Sequence, residues 1–129
     1  MSEVAREEWL QSMINLHQEW LADPTNGFRG SFGGLELIDV DLSNLDLRNA
    51  NFQITSMLRV DFSNSDLSGA NFSSCGLRQC NFTNSILDGT NFDHANLMDS
   101  HFNTNVDKAT FVNAYTKGTV FANTSAKDD

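Results

Sequence analysis

One regularity constrains this chain more than any other: a large apolar residue returns at every fifth position. From Phe32 the register reads Phe32, Leu37, Leu42, Leu47, Phe52, Met57, Phe62, Leu67, Phe72, Leu77, Phe82, Leu87, Phe92, Leu97 and Phe102. All fifteen positions are Leu, Phe or Met, types that supply 27 of the 129 residues. Chance agreement at one chosen offset is about one in ten billion, so the repeat is real.

A second column supports the first. Two residues before each large one stands a small or β-branched residue: Val40, Ala50, Thr55, Val60, Ser65, Ala70, Cys75, Cys80, Ser85, Thr90, Ala95 and Ser100, with Leu35 and Leu45 as bulky exceptions. The position just before the large residue is most often Asp or Asn, as in Asp41, Asp46, Asn51, Asp61, Asp66, Asn71, Asn81, Asn91 and Asn96.

A period of five matches neither the 3.6 of an α-helix nor the 2 of a flat strand. It suits a chain that makes one short extended side and one corner every five residues. If each corner turns through about a right angle, four sides close a square coil of roughly twenty residues. Both columns then point inward, and the Asp, Asn, Ser and Gly positions lie outside and at the corners. Backbone groups pair with the coils above and below at ~4.8 Å, so roughly 90 residues make a rod of four to five coils. Period twenty sorts the large residues into four sides. Side one holds Leu42, Phe62, Phe82 and Phe102; side two holds Leu47, Leu67 and Leu87. Side three holds Phe52, Phe72 and Phe92; side four holds Leu37, Met57, Leu77 and Leu97. Aromatics therefore stack on aromatics along two opposite sides, and aliphatics on aliphatics along the others.

The triplets Ala50-Asn51-Phe52, Ala70-Asn71-Phe72 and Ala95-Asn96-Leu97 resemble the A-[D/N]-L core of the pentapeptide-repeat family. The resemblance implies an all-β solenoid, the right-handed quadrilateral β-helix of that family. The register departs once: Phe102 to Phe111 is nine residues, after which Phe111, Thr116 and Phe121 resume it. One side near 103–107 is short by a residue, Val106 is the expected inward side chain, and a kinked or loosened coil is expected there.

Residues 3–22 read as an amphipathic helix that Ser2 caps and Asp23-Pro24 ends. Trp9, Leu10, Met13, Ile14, Leu16, His17, Trp20 and Leu21 form its apolar face, opposite Glu7, Glu8, Gln11, Asn15, Gln18 and Glu19. Solenoid ends expose core and unpaired edges, so this helix is expected to cap the first coil. The chain divides into a capping helix with linker at 1–27, a repeat body at 28–121 and a flexible acidic tail at 122–129. No comparable cap follows the last coil, and end-to-end homodimerisation is expected there.

Charge bounds the partners. The net charge is −9, of which the repeat body carries ten acids against six bases. Direct nucleic-acid binding needs clustered Lys and Arg, and none is seen. No secretory leader or membrane-length apolar run is evident, so the chain reads as a soluble cytoplasmic protein whose two cysteines are free thiols.

Chemistry finds little purchase. Cys75 and Cys80 are small-column core positions without further metal ligands in register. His94 and His101 fall at outward positions of different sides, and His17 packs at the cap. The aspartates suit corners better than catalytic pairs, because a filled square coil has no cleft. No nucleophile elbow, phosphate loop or dinucleotide fingerprint occurs, so the expectation is a non-enzyme with no cofactor and no metal. The surface offers one pattern. The position after each core residue of side four reads Ile38, Leu58, Arg78, Met98 and Lys117, a line of three apolar residues and two cations that suits a protein partner.

Two functions compete. A rigid protein-protein interaction scaffold needs no special residues. The alternative comes from the family resemblance: some members are acidic rods that mimic duplex DNA and bind DNA gyrase, inhibiting or protecting it. This chain departs from that subgroup in its mildly acidic body, its many Asn in place of Asp, its short rod and its lack of a C-terminal dimerisation helix.

Overall fold

The computed structural model describes residues 2–121; the expected acidic tail lies outside them. The chain opens with helix α1, Glu3–Ala22. Ser2 Oγ accepts the Ala5 N–H at 3.1 Å, satisfying one of the donors left open at a helix start. At the other end Asp23 is extended, its N–H still reaches Glu19 O, and its carboxylate accepts the Thr25 N–H at 3.0 Å. The chain then folds back against α1. Gly27 has a φ of 64°, and a Cβ there would sit 2.4 Å from Leu16 O, so only glycine makes this crossing.

The repeat body is a coil of parallel pairings. Three short strands, β1 (Glu36–Ile38), β2 (Ser56–Leu58) and β3 (Gly76–Arg78), stack in that order with Leu37 opposite Met57 and Met57 opposite Leu77. The other three sides pair at the same spacing: Asp41 with Asp61 and Asn81, Asp46 with Asp66 and Ile86, and Ser31 with Asn51, Asn71 and Asn91. Parallel ladders offset by twenty residues on four sides make a four-sided solenoid.

Corners follow two residues after each core position. There the backbone turns left-handed, with φ of 58° at Asn44, 63° at Asn49, 60° at Asn64 and 71° at Gly69. Asn and Gly tolerate that region, whereas Ile54 at 62° is β-branched and strained. The Asp/Asn column has a local task. Asp61 Oδ1 accepts the Ser63 N–H at 2.8 Å, Asp66 Oδ1 the Ser68 N–H at 3.0 Å and Asn71 Oδ1 the Ser73 N–H at 2.9 Å. Only one acceptor oxygen is used, so Asp and Asn interchange.

All fifteen register residues are at most 1% exposed. Phe72 stacks on Phe52 at 4.7 Å and on Phe92 at 5.1 Å, and meets Phe62 edge-on at 5.4 Å across the lumen. The small column also ties successive coils together. Thr55, Ser65 and Thr90 hydroxyls donate to Phe32, Leu42 and Leu67 carbonyls of the preceding coil at 2.7–2.8 Å, and Cys75 Sγ occupies the same place against Phe52 O.

The short side closes without loosening the coil. Val106 is fully buried, and pairing continues at an offset of nineteen, Asn91 with Thr110, Asn96 with Tyr115 and His101 with Val120. The Thr104 hydroxyl donates to Ser85 O at 2.6 Å and helps hold this tighter corner. At the first coil α1 packs Leu10 and Ile14 into the core, and Gln18 Nε2 donates to Asp46 O at 2.6 Å. In the last described coil Phe111 and Phe121 are half-buried and Thr116 is exposed.

Candidate functional site

No reactive constellation emerges from this geometry. Both thiols are free and buried; burial pushes Cys75 up to about 11 and Cys80 up to about 12, which suppresses the nucleophilic thiolate. Among the described residues no group of three or more His, Cys, Asp or Glu could hold a metal ion. His94 and His101 are exposed on different sides. The aspartates are occupied with turns. Asp41 is held below the usual carboxylate range by the Ser43 hydroxyl and N–H, and Asp46 by its hydrogen bonds from Arg48.

The line on side four is in register. Ile38 lies opposite Leu58 and Leu58 opposite Arg78, while Met98 O accepts from Gln79 N and Lys117 O from Asp99 N one coil further each time. Ile38, Arg78 and Lys117 are exposed, and Leu58 and Met98 half-buried. Asp39 beside Ile38 pairs with Arg59 at 2.6 Å, so Arg59 is neutralised, whereas Arg78 and Lys117 form no ion pair among the described residues.

Charge is unequally spread around the rod. Sides one and two carry Asp41, Asp46, Asp61, Asp66, Asp88 and Asp107 against Arg29, Arg48 and Lys108, and Arg48 is bound to Asp46 at 2.7 Å. Sides three and four carry the other four acids of the body against Arg59, Arg78 and Lys117.

Sequence reasoning anticipated filled sides but not the concavities where α1 meets the coil. A groove of 490 Å³ is lined by Arg6, Trp9, Leu10, Leu35, Glu36 and Leu37, and a second of 630 Å³ includes Ile38, Asp39 and Val40. They arise because a straight helix cannot follow a square coil at every corner. Leu35, a bulky exception in the small column, was the available signal. The second groove runs into the side-four line at Ile38.

The repeat geometry decides the family, and comparison agrees. The family model described as "Pentapeptide repeat region" matches residues 55–128, and "Pentapeptide repeats (8 copies)" matches residues 36–73. The chain belongs to the pentapeptide-repeat family. Its solved members are right-handed quadrilateral β-helices, the fold to which this chain is similar. The pentapeptide repeat protein Rfr23 from the cyanobacterium Cyanothece 51142 aligns with a TM-score of 0.63 and 24% identity over 67% of this chain and 60% of its own. HetL of Nostoc sp. strain PCC 7120, described as involved in heterocyst differentiation regulation, aligns at 0.54 with 20% identity over 66% and 44%. QnrB1, a plasmid-mediated fluoroquinolone resistance protein, aligns at 0.47 with 21% identity over 78% and 50%, an overlap too loose to argue from. The chain thus spans less than two thirds of the length of Rfr23 and of HetL. No curated protein matches it. Among the described residues no helix is long and apolar enough to cross a membrane.

Proposed function

We propose that this pentapeptide-repeat protein is a non-enzymatic rod of four to five coils that binds a protein partner along side four. The register of Ile38, Leu58, Arg78, Met98 and Lys117 carries this reading: side chains spaced ~4.8 Å apart on a rigid ladder form a pre-ordered contact line that loses little entropy on binding. The apolar members supply area, and the unpaired Arg78 and Lys117 supply donors for carboxylates on the partner. The free, buried thiols suit a reducing cytoplasm. The test is the double change Leu58→Asp and Met98→Asp. Capture of partners from host lysate should be abolished with the melting temperature unchanged; retained capture rejects the line.

A second reading rests on the charge asymmetry. Sides one and two present a column of carboxylates on a rod, a surface suited to a protein that normally holds nucleic-acid phosphate, such as DNA gyrase or another topoisomerase. A supercoiling assay with added protein separates the two: inhibition or protection favours mimicry, and no effect leaves the scaffold. We further propose that copies associate through the last described coil. There Tyr115 and Val120 stand exposed at the positions that Asn96 and His101 occupy one coil earlier. A monomer by light scattering at high micromolar concentration would reject this.

A further inference from the structure

The geometry points to α1 being a pH-gated lid on the first coil, latched by the neutral imidazole of His17 and released when that ring takes up a proton. His17 is fully buried where α1 crosses the coil. Both ring nitrogens are engaged with backbone: Nδ1 accepts the Gly30 N–H at 2.8 Å, and Nε2 lies 2.9 Å from Arg48 O. Because an amide can only donate, Nδ1 must be bare, which leaves Nε2 as the protonated nitrogen donating to Arg48 O. The ring therefore joins α1 to two points of the first coil through one tautomer of its neutral form.

An imidazolium cannot make that bridge. Protonating Nδ1 sets two N–H groups against each other at Gly30, inside a site without water access. Burial disfavours the cation first; the hydrogen bond to Arg48 O and the Asp46 carboxylate favour it, the Arg29 and Arg48 guanidiniums oppose it, and the net effect holds His17 below its ordinary 6.5. Asp46 is itself bound by Arg48, and no other charged group acts on the ring. Trp20 stacks on it at 5.6 Å from the same helix. The sign follows. The released helix binds a proton near 6.5 and the docked helix only at lower pH, so docking is at full strength above 6.5 and weakens as pH falls from there toward the lowered docked value. One proton weakens docking by up to tenfold per pH unit. Besides the ring, Gln18 Nε2 donates from α1 to Asp46 O, and Leu16 O of α1 accepts the Phe28 N–H at 3.2 Å. Release uncovers Leu35 and Val40, which line the grooves beside α1, and the edge of β1 away from β2, open to addition of another chain.

Both tryptophans, Trp9 and Trp20, lie on α1, so indole emission reports this helix alone. Urea titrations followed by that emission, at pH 6.5 and about one unit to either side, are expected to show docking weakened on the acid side and unchanged on the alkaline side. His17→Gln supplies the control, because its amide can donate to Arg48 O and accept from Gly30 N–H with nothing to titrate. That variant should dock and lose the acid dependence. Equal acid loss in His17→Gln, or none in the native chain, overturns the latch. If the variant does not dock, nitrogen NMR of His17 decides. A ring that stays neutral below 6.5 until α1 leaves supports the latch; one that protonates at 6.5 with unchanged emission overturns it.

Discussion

Replacing Phe72 by Ala tests whether the solenoid is held by a continuous aromatic column. Phe72 is fully buried, stacked on Phe52 and Phe92 and edge-on to Phe62 and Phe82. Truncating a buried Phe costs about 3–5 kcal/mol through lost transfer energy and the cavity left behind. With four ring partners and coils pinned above and below by backbone bonds, the site cannot collapse, so the upper part of that range, about 4–5 kcal/mol, is expected. Phe72→Leu keeps most of the apolar volume and forfeits mainly the ring contacts, for about 1–2 kcal/mol. Phe111 is only half-buried in the last described coil, where it stacks on Phe92 and meets Phe102 and Phe121 edge-on, so Phe111→Ala should cost about 2 kcal/mol. For a chain of this length each kcal/mol moves the melting point by roughly 3–4 °C, which separates Phe72→Ala from the other two variants by thermal unfolding followed by far-ultraviolet circular dichroism. Equal losses at Phe72 and Phe111, or a loss at Phe72 below about 1.5 kcal/mol, would refute the column as the main source of stability.

Three further outcomes are expected. Asp66→Asn should change stability by less than about 0.5 kcal/mol and Asp66→Ala lower it by about 1 kcal/mol, because the turn needs one acceptor for Ser68 and no charge; urea titration distinguishes them. Ile54→Gly should stabilise the chain by up to about 1 kcal/mol by relieving a β-branched residue at a φ of 62°, measured by melting point; a loss would show that the exposed side chain has a packing role. Cys75 and Cys80, raised to about 11 and about 12, should resist a thiol reagent at mildly alkaline pH in the folded protein and react fully in denaturant.

Much of the body was legible because the period is an inventory of side-chain direction. Inward columns, the cap of α1 by Ser2 and the inward Val106 all follow from spacing and local chemistry. The candidate line on side four was equally legible, since it is one column of the same grid. Other features were not. Nothing about Ile54, Arg59 or Gln79 marks a left-handed corner, yet all three occupy one because the coil closes only if every fifth residue turns that way. Nor does the sequence show that a Thr hydroxyl reaches a carbonyl in the coil before it, or that an offset of nineteen closes as well as twenty.

His17 marks where the two kinds of information part. On the sequence it is a polar interruption in an apolar helix face, and helical spacing alone could only point it toward the cap. The amide and the carbonyl that it joins are backbone groups at Gly30 and Arg48, brought together by the first turn of the coil. The repeat by itself determined a four-sided stack, because side-chain direction is local and recurs with the period. Tertiary structure alone decided the latch and the cap grooves, because each depends on backbone groups or surfaces that meet only after the coil has closed.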